Sequence, residues 1–374
     1  MTTFAEHGAT RSADIDSSPA GQPVDRTRPD VPRVLGTRSF DDRASWATSL
    51  AGSFALIWIA FQVTGWSGRL GFTVLWFVTH LALYAGVTAL AHPAPVVVER
   101  TIGAVVTGGA AVVGLALAST LVYTFQRGFP ALTHLHFYTS DAAGVRPTAG
   151  LDRGGISHAI LGSAIQVGIA LVISLPLGVG TAVYMTEVGG KASKTVRTVV
   201  EAMTALPDVL AGLFVYATLV LVVGLDRTGF VAAIALSVTM IPIVARAAEV
   251  GLRVVPGGLR EASLALGASQ WSTVRRVVLP TAKTGLATAL ILGVARVAGE
   301  TAPLLIVSGA STYTNTDPFS QPMNSLPLYI FAAVRSGQPV FIERGFGAAS
   351  VLLALVMLLF VTARMLARPK KGSR

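Results

Sequence analysis

The sequence predicts an all-α membrane protein, a bundle of about eight transmembrane helices, and three observations carry that class. Of the 374 residues, 52% are hydrophobic and 13% are charged, about half the charged share of a soluble domain. The apolar residues gather in blocks of about 20 with few charges, the length that crosses a bilayer's hydrocarbon. No water reaches backbone N–H and C=O groups at that depth, so each block must close its own hydrogen bonds as a helix. Glycine, at 38 residues, supplies small positions at which membrane helices approach closely.

The elements follow in order. Residues 1–44, rich in Arg, Asp, Pro and Ser, lack apolar periodicity and are expected to form a disordered cytoplasmic tail. The tail is too long and too acidic for a signal peptide's basic region, so no cleavage is expected. Spans are expected at 46–63, 71–91, 102–124, 156–185, 206–225, 230–247, 285–308 and 346–366. The fourth exceeds a perpendicular crossing and holds Pro176, which calls for tilt or a kink.

Basic residues set the direction. Lys191, Lys194 and Arg197 lie between the fourth and fifth spans. Arg253, Arg260, Arg275, Arg276 and Lys283 lie in the loop at 248–284, and Arg364, Arg368, Lys370, Lys371 and Arg374 close the chain. The opposite side is poorer in cations, so both termini and the 248–284 loop are expected in the cytoplasm.

Other chemistries have little support. The chain has no cysteine, which removes disulfides, thiolate metal sites and cysteine nucleophiles. His134 and His136 are the one close histidine pair and read as loop residues, so no metal site is expected. The net charge of +10 sits beside apolar spans, the pattern of membrane orientation and lipid contact rather than of nucleic-acid binding.

The loop segment EASLALGASQWSTVRRVVLP (261–280) needs a reason to exist between short-looped spans. Residues 262–266 favour a short helix, Gly267 breaks it, and 270–278 can form a second. Gly267 tolerates a positive φ and lets another backbone come close. The angled pair is either a knob for a cytoplasmic partner or an amphipathic helix on the lipid surface, with Arg275 and Arg276 at headgroups.

These residues carry a resemblance. Glu261-Ala262, Gly267 six residues after the glutamate, and Leu279-Pro280 resemble the coupling loop of bacterial ABC importer permeases. Further segments are similar to phosphate importer permeases of the PstA type: PLGVGTAVYMTEVG (176–189), LPDVLAGLFVY (206–216), IPIVARAAE (241–249), ARVAGETAPLL (295–305) and QPMNSLPLYIF (321–331). The likeness runs from about Gly154 to the C-terminus. It implies a helical bundle of the type I ABC importer permease kind at 101–367, with two additional transmembrane helices at 45–100 and a basic cytoplasmic tail at 368–374. It also implies that Glu261, Ala262, Gly267, Leu279 and Pro280 couple to an ATPase. The partners implied are a PstC-like second permease subunit, a PstB-like ATPase dimer that binds ATP–Mg, and an extracytoplasmic phosphate-binding protein. The chain itself has no G-x-x-x-x-G-K-[ST] stretch to cradle nucleotide phosphates, so it is expected to be a permease without its own ATPase site or cofactor.

Arg296 and Glu300 stand inside an otherwise apolar predicted span. An ionised side chain near mid-bilayer costs about 2.5–3.5 kcal/mol on insertion scales. A spacing of four on one helix puts the two on one face, about 6 Å apart along the axis. They can form an internal salt bridge that only holds the bundle, although such buried pairs often add little net stability. They can also handle phosphate. A guanidinium offers paired donors to two phosphate oxygens, and a carboxylate accepts from the O–H that phosphate, unlike sulfate, still carries near neutral pH. The resemblance points to the same two residues for phosphate passage, with Thr301 as an added hydroxyl contact. Arg246, Glu249 and Glu187 read as interfacial anchors, and Leu206-Pro207-Asp208 as a capped helix start that the resemblance implies helps shape the pore entrance.

Three other readings stay open at this stage. One is an ABC permease for another oxyanion or small solute, which keeps the loop and changes the lining. Another is an ion-coupled secondary carrier, which often shows internal repeats with interrupted helices. A third is a scaffold that reports phosphate status.

Overall fold

The computed structural model describes residues 40–367, and every regular element among them is helical. Residues 1–39 and 368–374, most of the two expected tails, lie outside the described residues. The chain divides after Gly114 into two compact units.

The first unit is built on α1 (Phe40–Thr64), α2 (Arg69–Ala91) and the first part of α3 (Ala94–Leu132). Helix α1 starts at Phe40, inside the stretch assigned to the tail. Gly65 and Gly68, with φ of 68° and 122°, provide the left-handed backbone that turns α1 into α2 without a Cβ clash. The two helices then meet through aromatic edges. Phe54 packs on Phe72 and Trp76 with ring centroids 5.5 and 5.6 Å apart, and Phe61 packs on Phe72 at 5.2 Å. Ser49, Ser53, His80 and Thr88 are buried there.

The second unit contains the remaining elements. A short turn of helix, α4 (His136–Thr139), precedes α5 (Ser157–Val183), which runs on through Pro176 and ends in a π-helical turn at Tyr184–Val188. Next come α6 (Gly190–Ala205), then α7 (Asp208–Val215) with a π-helical continuation Tyr216–Val222, then α8 (Gly229–Arg253). The connecting elbow holds α9 (Gly257–Ala265), α10 (Gln270–Thr273) with a π turn Val274–Val278, and α11 (Leu279–Thr281). The chain closes with α12 (Lys283–Ala298), α13 (Ala302–Val307), α14 (Leu326–Arg335) and α15 (Pro339–Ala367).

Six helices are each long and apolar enough to cross a membrane: α1, α2, α3, α5, α8 and α15. Two more spans are bent pairs, so the described residues hold up to eight. Helix α6 meets α7 at 101°, and the α10–α11 segment meets α12 at 72°. Both bends fall at the starts of the fifth and seventh predicted spans, 206–225 and 285–308, and add a helical arm before each. Pro207 explains the first bend, because it disfavours helical backbone at Leu206, whose ψ is 133°. The seventh is itself broken at Gly299–Thr301, between α12 and α13. Pro303 lacks the N–H that would bond the Gly299 carbonyl and its ring crowds that carbonyl, which favours the break seen there.

Helix α8 is the hub, with α5, α12, α7 and α13 packed around it. Its buried face includes Val231, Leu236, Met240 and Val244, an apolar stripe at helical spacing. Close approach depends on glycine. A Cβ on Gly178 of α5 would stand 2.8 Å from Val244, and one on Gly285 of α12 would stand 2.6 Å from the Gly251 backbone.

At the end of the unit opposite the elbow, the loop 140–156 is held by neutral carbonyls and one cation. Arg344, 3% exposed, donates through Nη2 to the carbonyls of Ala149 (3.1 Å), Gly150 (2.6 Å) and Arg153 (2.5 Å). Asp141 ties this loop to the 309–322 loop, accepting from the Thr314 N–H at 3.1 Å. Burial alone would raise the Asp141 carboxyl, but hydrogen bonds from the Ala143 and Thr314 N–H groups and the Thr314 hydroxyl outweigh it and hold it below its ordinary value. His134 and His136 lie with rings 5.3 Å apart, and the latter bonds the Leu151 carbonyl at 2.8 Å; among the described residues no cluster of three or more ligands that could hold a metal occurs.

Candidate functional site: a half-exposed arginine between two carboxylates

Helix α12 ends at Ala298, with Arg296 in its last turn. Its guanidinium is 52% exposed, Nη2 donates to Asp208 Oδ2 at 3.0 Å, and Nε lies 3.6 Å from Glu300 Oε1. The pairing of Arg296 with Glu300 agrees with the spacing argument, but its geometry does not. Glu300 sits in the break after α12 rather than one turn further along the same helix, for the reason Pro303 supplies above. Its side chain is 14% exposed.

Asp208 is the partner that sequence reasoning missed. It occupies the first position of α7, yet no side chain caps that helix. Its carboxylate is committed to Arg296, across 88 residues of sequence. The available signal was a carboxylate near the start of an apolar block, where an unpaired charge is costly; reading it as a cap left the question of its partner unasked. Thr301 precedes α13, is half-buried and makes no side-chain cap hydrogen bond.

The 101° bend between α6 and α7 opens space beside this arginine. A cavity of about 250 Å³ is lined by Thr204, Leu206, Asp208, Thr239, Ile243 and Arg296, among others. Its chemistry is one guanidinium, one carboxylate and two hydroxyls on apolar walls. Such a set can take a small anion in the arginine's plane while the hydroxyls and carboxylate receive its protons. Asp208 and Glu300 also keep the arginine charge compensated when no ligand is bound.

The elbow residues lie together at one end of the unit. Glu261 and Ala262 are exposed on α9, and Pro280 is exposed on α11. Gly267 has φ of 81°, a region that suits glycine, and a Cβ there would meet nothing within 4 Å. Leu279 packs inward against the cluster of Leu252, Val255, Val278 and Ala282. The two-helix knob with a glycine corner is therefore present. Leu264, Leu266 and Trp271 stand 49%, 89% and 67% exposed on it.

Near the elbow the interfacial-anchor reading fails for two acids. Glu249 is 3% exposed and collects three guanidiniums: Arg197 at 2.7 Å, Arg253 at 2.8 Å and Arg246 at 3.5 Å. Arg246 also reaches Glu201 at 3.1 Å, so α6 is strapped to α8 by ion pairs. Glu187 is likewise buried, paired with Arg260 of α9 at 2.8 Å. A carboxylate far from water needs such partners, and they come from segments distant in sequence.

Comparison with known proteins points one way. Residues 174–368, more than half of the chain, match the family described as binding-protein-dependent transport system inner membrane component. A phosphate transport system permease protein PstA 1 of Mycobacterium tuberculosis is 39% identical over 241 residues, which cover 64% of this chain and 79% of that protein. A phosphate transport system permease protein PstA of Xylella fastidiosa is 37% identical over 218 residues, 58% of this chain and 76% of the relative. Among solved structures, a chain of a bacterial alginate ABC transporter in complex with a periplasmic protein aligns with a TM-score of 0.52 at 17% identity, covering 74% of this chain and 97% of that one. That likeness concerns the fold.

Proposed function

Because this chain belongs to the family of binding-protein-dependent transport system inner membrane components, we propose that it is the permease subunit of an ATP-driven importer of inorganic phosphate. The observation that supports this most directly is Arg296, half-exposed beside a small cavity and held by Asp208 and Glu300, in a chain whose relatives are named phosphate permeases.

In this reading the basic loops place the elbow and both termini in the cytoplasm. A PstC-like subunit completes the pathway, a PstB-like pair hydrolyses ATP–Mg, and an extracytoplasmic binding protein delivers phosphate. ATP-driven closure of the ATPase pair displaces the elbow through Glu261, Ala262, Gly267, Leu279 and Pro280, and the bundle alternates its opening. Phosphate replaces Asp208 on Arg296 through two charge-assisted hydrogen bonds, while Glu300 accepts its remaining O–H. Release is favoured because the resting carboxylates compete for the same donors. Thr301 is a further hydroxyl contact once the break at Gly299–Thr301 opens toward the pathway.

The test is uptake of labelled phosphate by proteoliposomes holding the whole complex. Uptake should need ATP and the binding protein, survive collapse of the proton gradient, and resist competition by sulfate or molybdate. Uptake driven by the gradient without ATP, or strong inhibition by sulfate, contradicts the proposal.

A further inference from the structure

The elbow is joined covalently to the bundle at two weak places. One is the turn at Val254–Pro256 after α8, and the other is the joint at Ala282, where the chain bends by 72° into α12. Both are short element-terminal segments of the kind that absorb a hinge rotation. Helix α5 has no nearby covalent link to the elbow at all. A cavity of about 520 Å³ lies between the end of α5 and the elbow, lined by Met185, Thr186, Leu264 and Val274 among others. Beside it, Val179, Ala182 and Val183 of α5 share one apolar cluster with Val255, Val278 and Leu279 at the roots of the elbow, a contact that is non-directional.

Two polar side chains of the elbow, Arg260 and Gln270, reach across the cavity to Glu187. Arg260 of α9 donates through Nε to both carboxylate oxygens of Glu187 (3.2 and 3.1 Å) and through Nη2 to Oε1 (2.8 Å). Nη2 also reaches the Leu252 carbonyl (3.0 Å), and Nη1 reaches the Val255 carbonyl (2.6 Å). Those two carbonyls lie at or just beyond the end of α8, where helical donors have run out and a cation is favoured. Glu187 is 8% exposed in the π turn that ends α5. The other arm of the elbow holds the same residue, since Gln270 Nε2 donates to the Glu187 carbonyl at 2.5 Å. Ser263 and Thr273, 2.9 Å apart through their hydroxyls, join the two arms.

We infer that the Arg260–Glu187 pair is the link that carries displacement of the elbow into α5 and α8, with Arg260 a positioning residue for coupling. A forked, charge-assisted contact is directional and resists sliding, which the two hinges do not. Helices α5 and α8 then move together, because Gly178 brings their backbones into contact at Val244 and Ala245. The inference rests on the importer reading and adds the route by which the elbow acts. Glutamate 187 holds α5 by its position, and Gln270 supports it.

The absence of cysteine from the natural chain allows a test within one polypeptide. Glu187→Cys with Arg260→Cys is assembled with partner subunits lacking reactive cysteine, and the two thiols are bridged by a short, reducible bifunctional reagent. Phosphate moved per ATP hydrolysed is measured before bridging, after bridging and after reduction. Unbridged complex should keep its basal ATP hydrolysis while transport per ATP falls about tenfold, within the range of measured coupling between linked sites. Bridging should restore the ratio and reduction should remove it again. The charge-swapped pair Glu187→Arg with Arg260→Glu should recover more transport per ATP than either single change. A ratio that stays at the wild-type value without the bridge, or that bridging and charge swap both leave low, overturns the inference. If the unaltered complex moves no phosphate at all, the importer reading fails and the inference goes with it.

Discussion

Arg296 and Arg260 are the same residue type in the same unit, and they are used in opposite ways. Arg260 spends Nε, Nη1 and Nη2 on one carboxylate and two helix-end carbonyls. Arg296 makes one hydrogen bond to Asp208 and one longer ion pair to Glu300, and half of its side chain is open to the cavity. A guanidinium with all three nitrogens engaged fixes geometry; one with nitrogens to spare can exchange a protein partner for a ligand. The elbow is accordingly read as mechanics and the cavity as chemistry.

The comparison breaks first at the cavity. Arg296→Gln should cut phosphate uptake by about 100-fold at unchanged membrane level, the scale of two lost charge-assisted hydrogen bonds at about 1.5 kcal/mol each. Uptake assays with immunoblotting of the assembled complex check this, and an unassembled complex would mean that Arg296 only holds the bundle. At the elbow, Gly267→Asp forces an L side chain into a left-handed backbone, a cost of roughly 1–2 kcal/mol, on an open surface. Uptake should fall about tenfold, in the range of coupling effects, while the protein still inserts. Normal uptake in that variant would remove the coupling role.

Two smaller effects sharpen the contrast. Glu249→Gln leaves Arg197, Arg246 and Arg253 without their shared carboxylate. Those cations can reach water, so the loss should sit near the low end for a broken buried pair, about 3 kcal/mol, read as a lower melting temperature in detergent. Asp208→Asn should do the reverse of Arg296→Gln at the ligand: phosphate is held about two- to fivefold longer, as expected for removal of a weak, partly exposed competitor. Faster release from that variant would show that Asp208 assists binding rather than competing.

How much of this was legible in the sequence depends on the range of the interactions. The spans follow from local hydrophobicity, and the elbow with Gly267 at its corner follows from local propensity and one φ-permissive residue. The helix start after Leu206-Pro207 was legible from the proline, whereas the break at Gly299–Thr301, marked by Pro303, was hidden by the continuous apolar run. The partners of the acids were not legible. Asp208 meets Arg296 across 88 residues and Glu187 meets Arg260 across 73, and helical periodicity pairs only residues three or four apart. Glu300 was placed correctly near Arg296 but for the wrong geometric reason, since the helix between them ends.

The most direct test concerns the cavity beside Arg296. Thr204→Cys and Thr239→Cys place single thiols on its wall. A membrane-impermeant maleimide should modify them from the cytoplasmic side in the nucleotide-free complex and from the outer side in the ATP-trapped one, with phosphate slowing the reaction and sulfate not. Labelling from one side only in both states, or a rate indifferent to phosphate, would contradict the account.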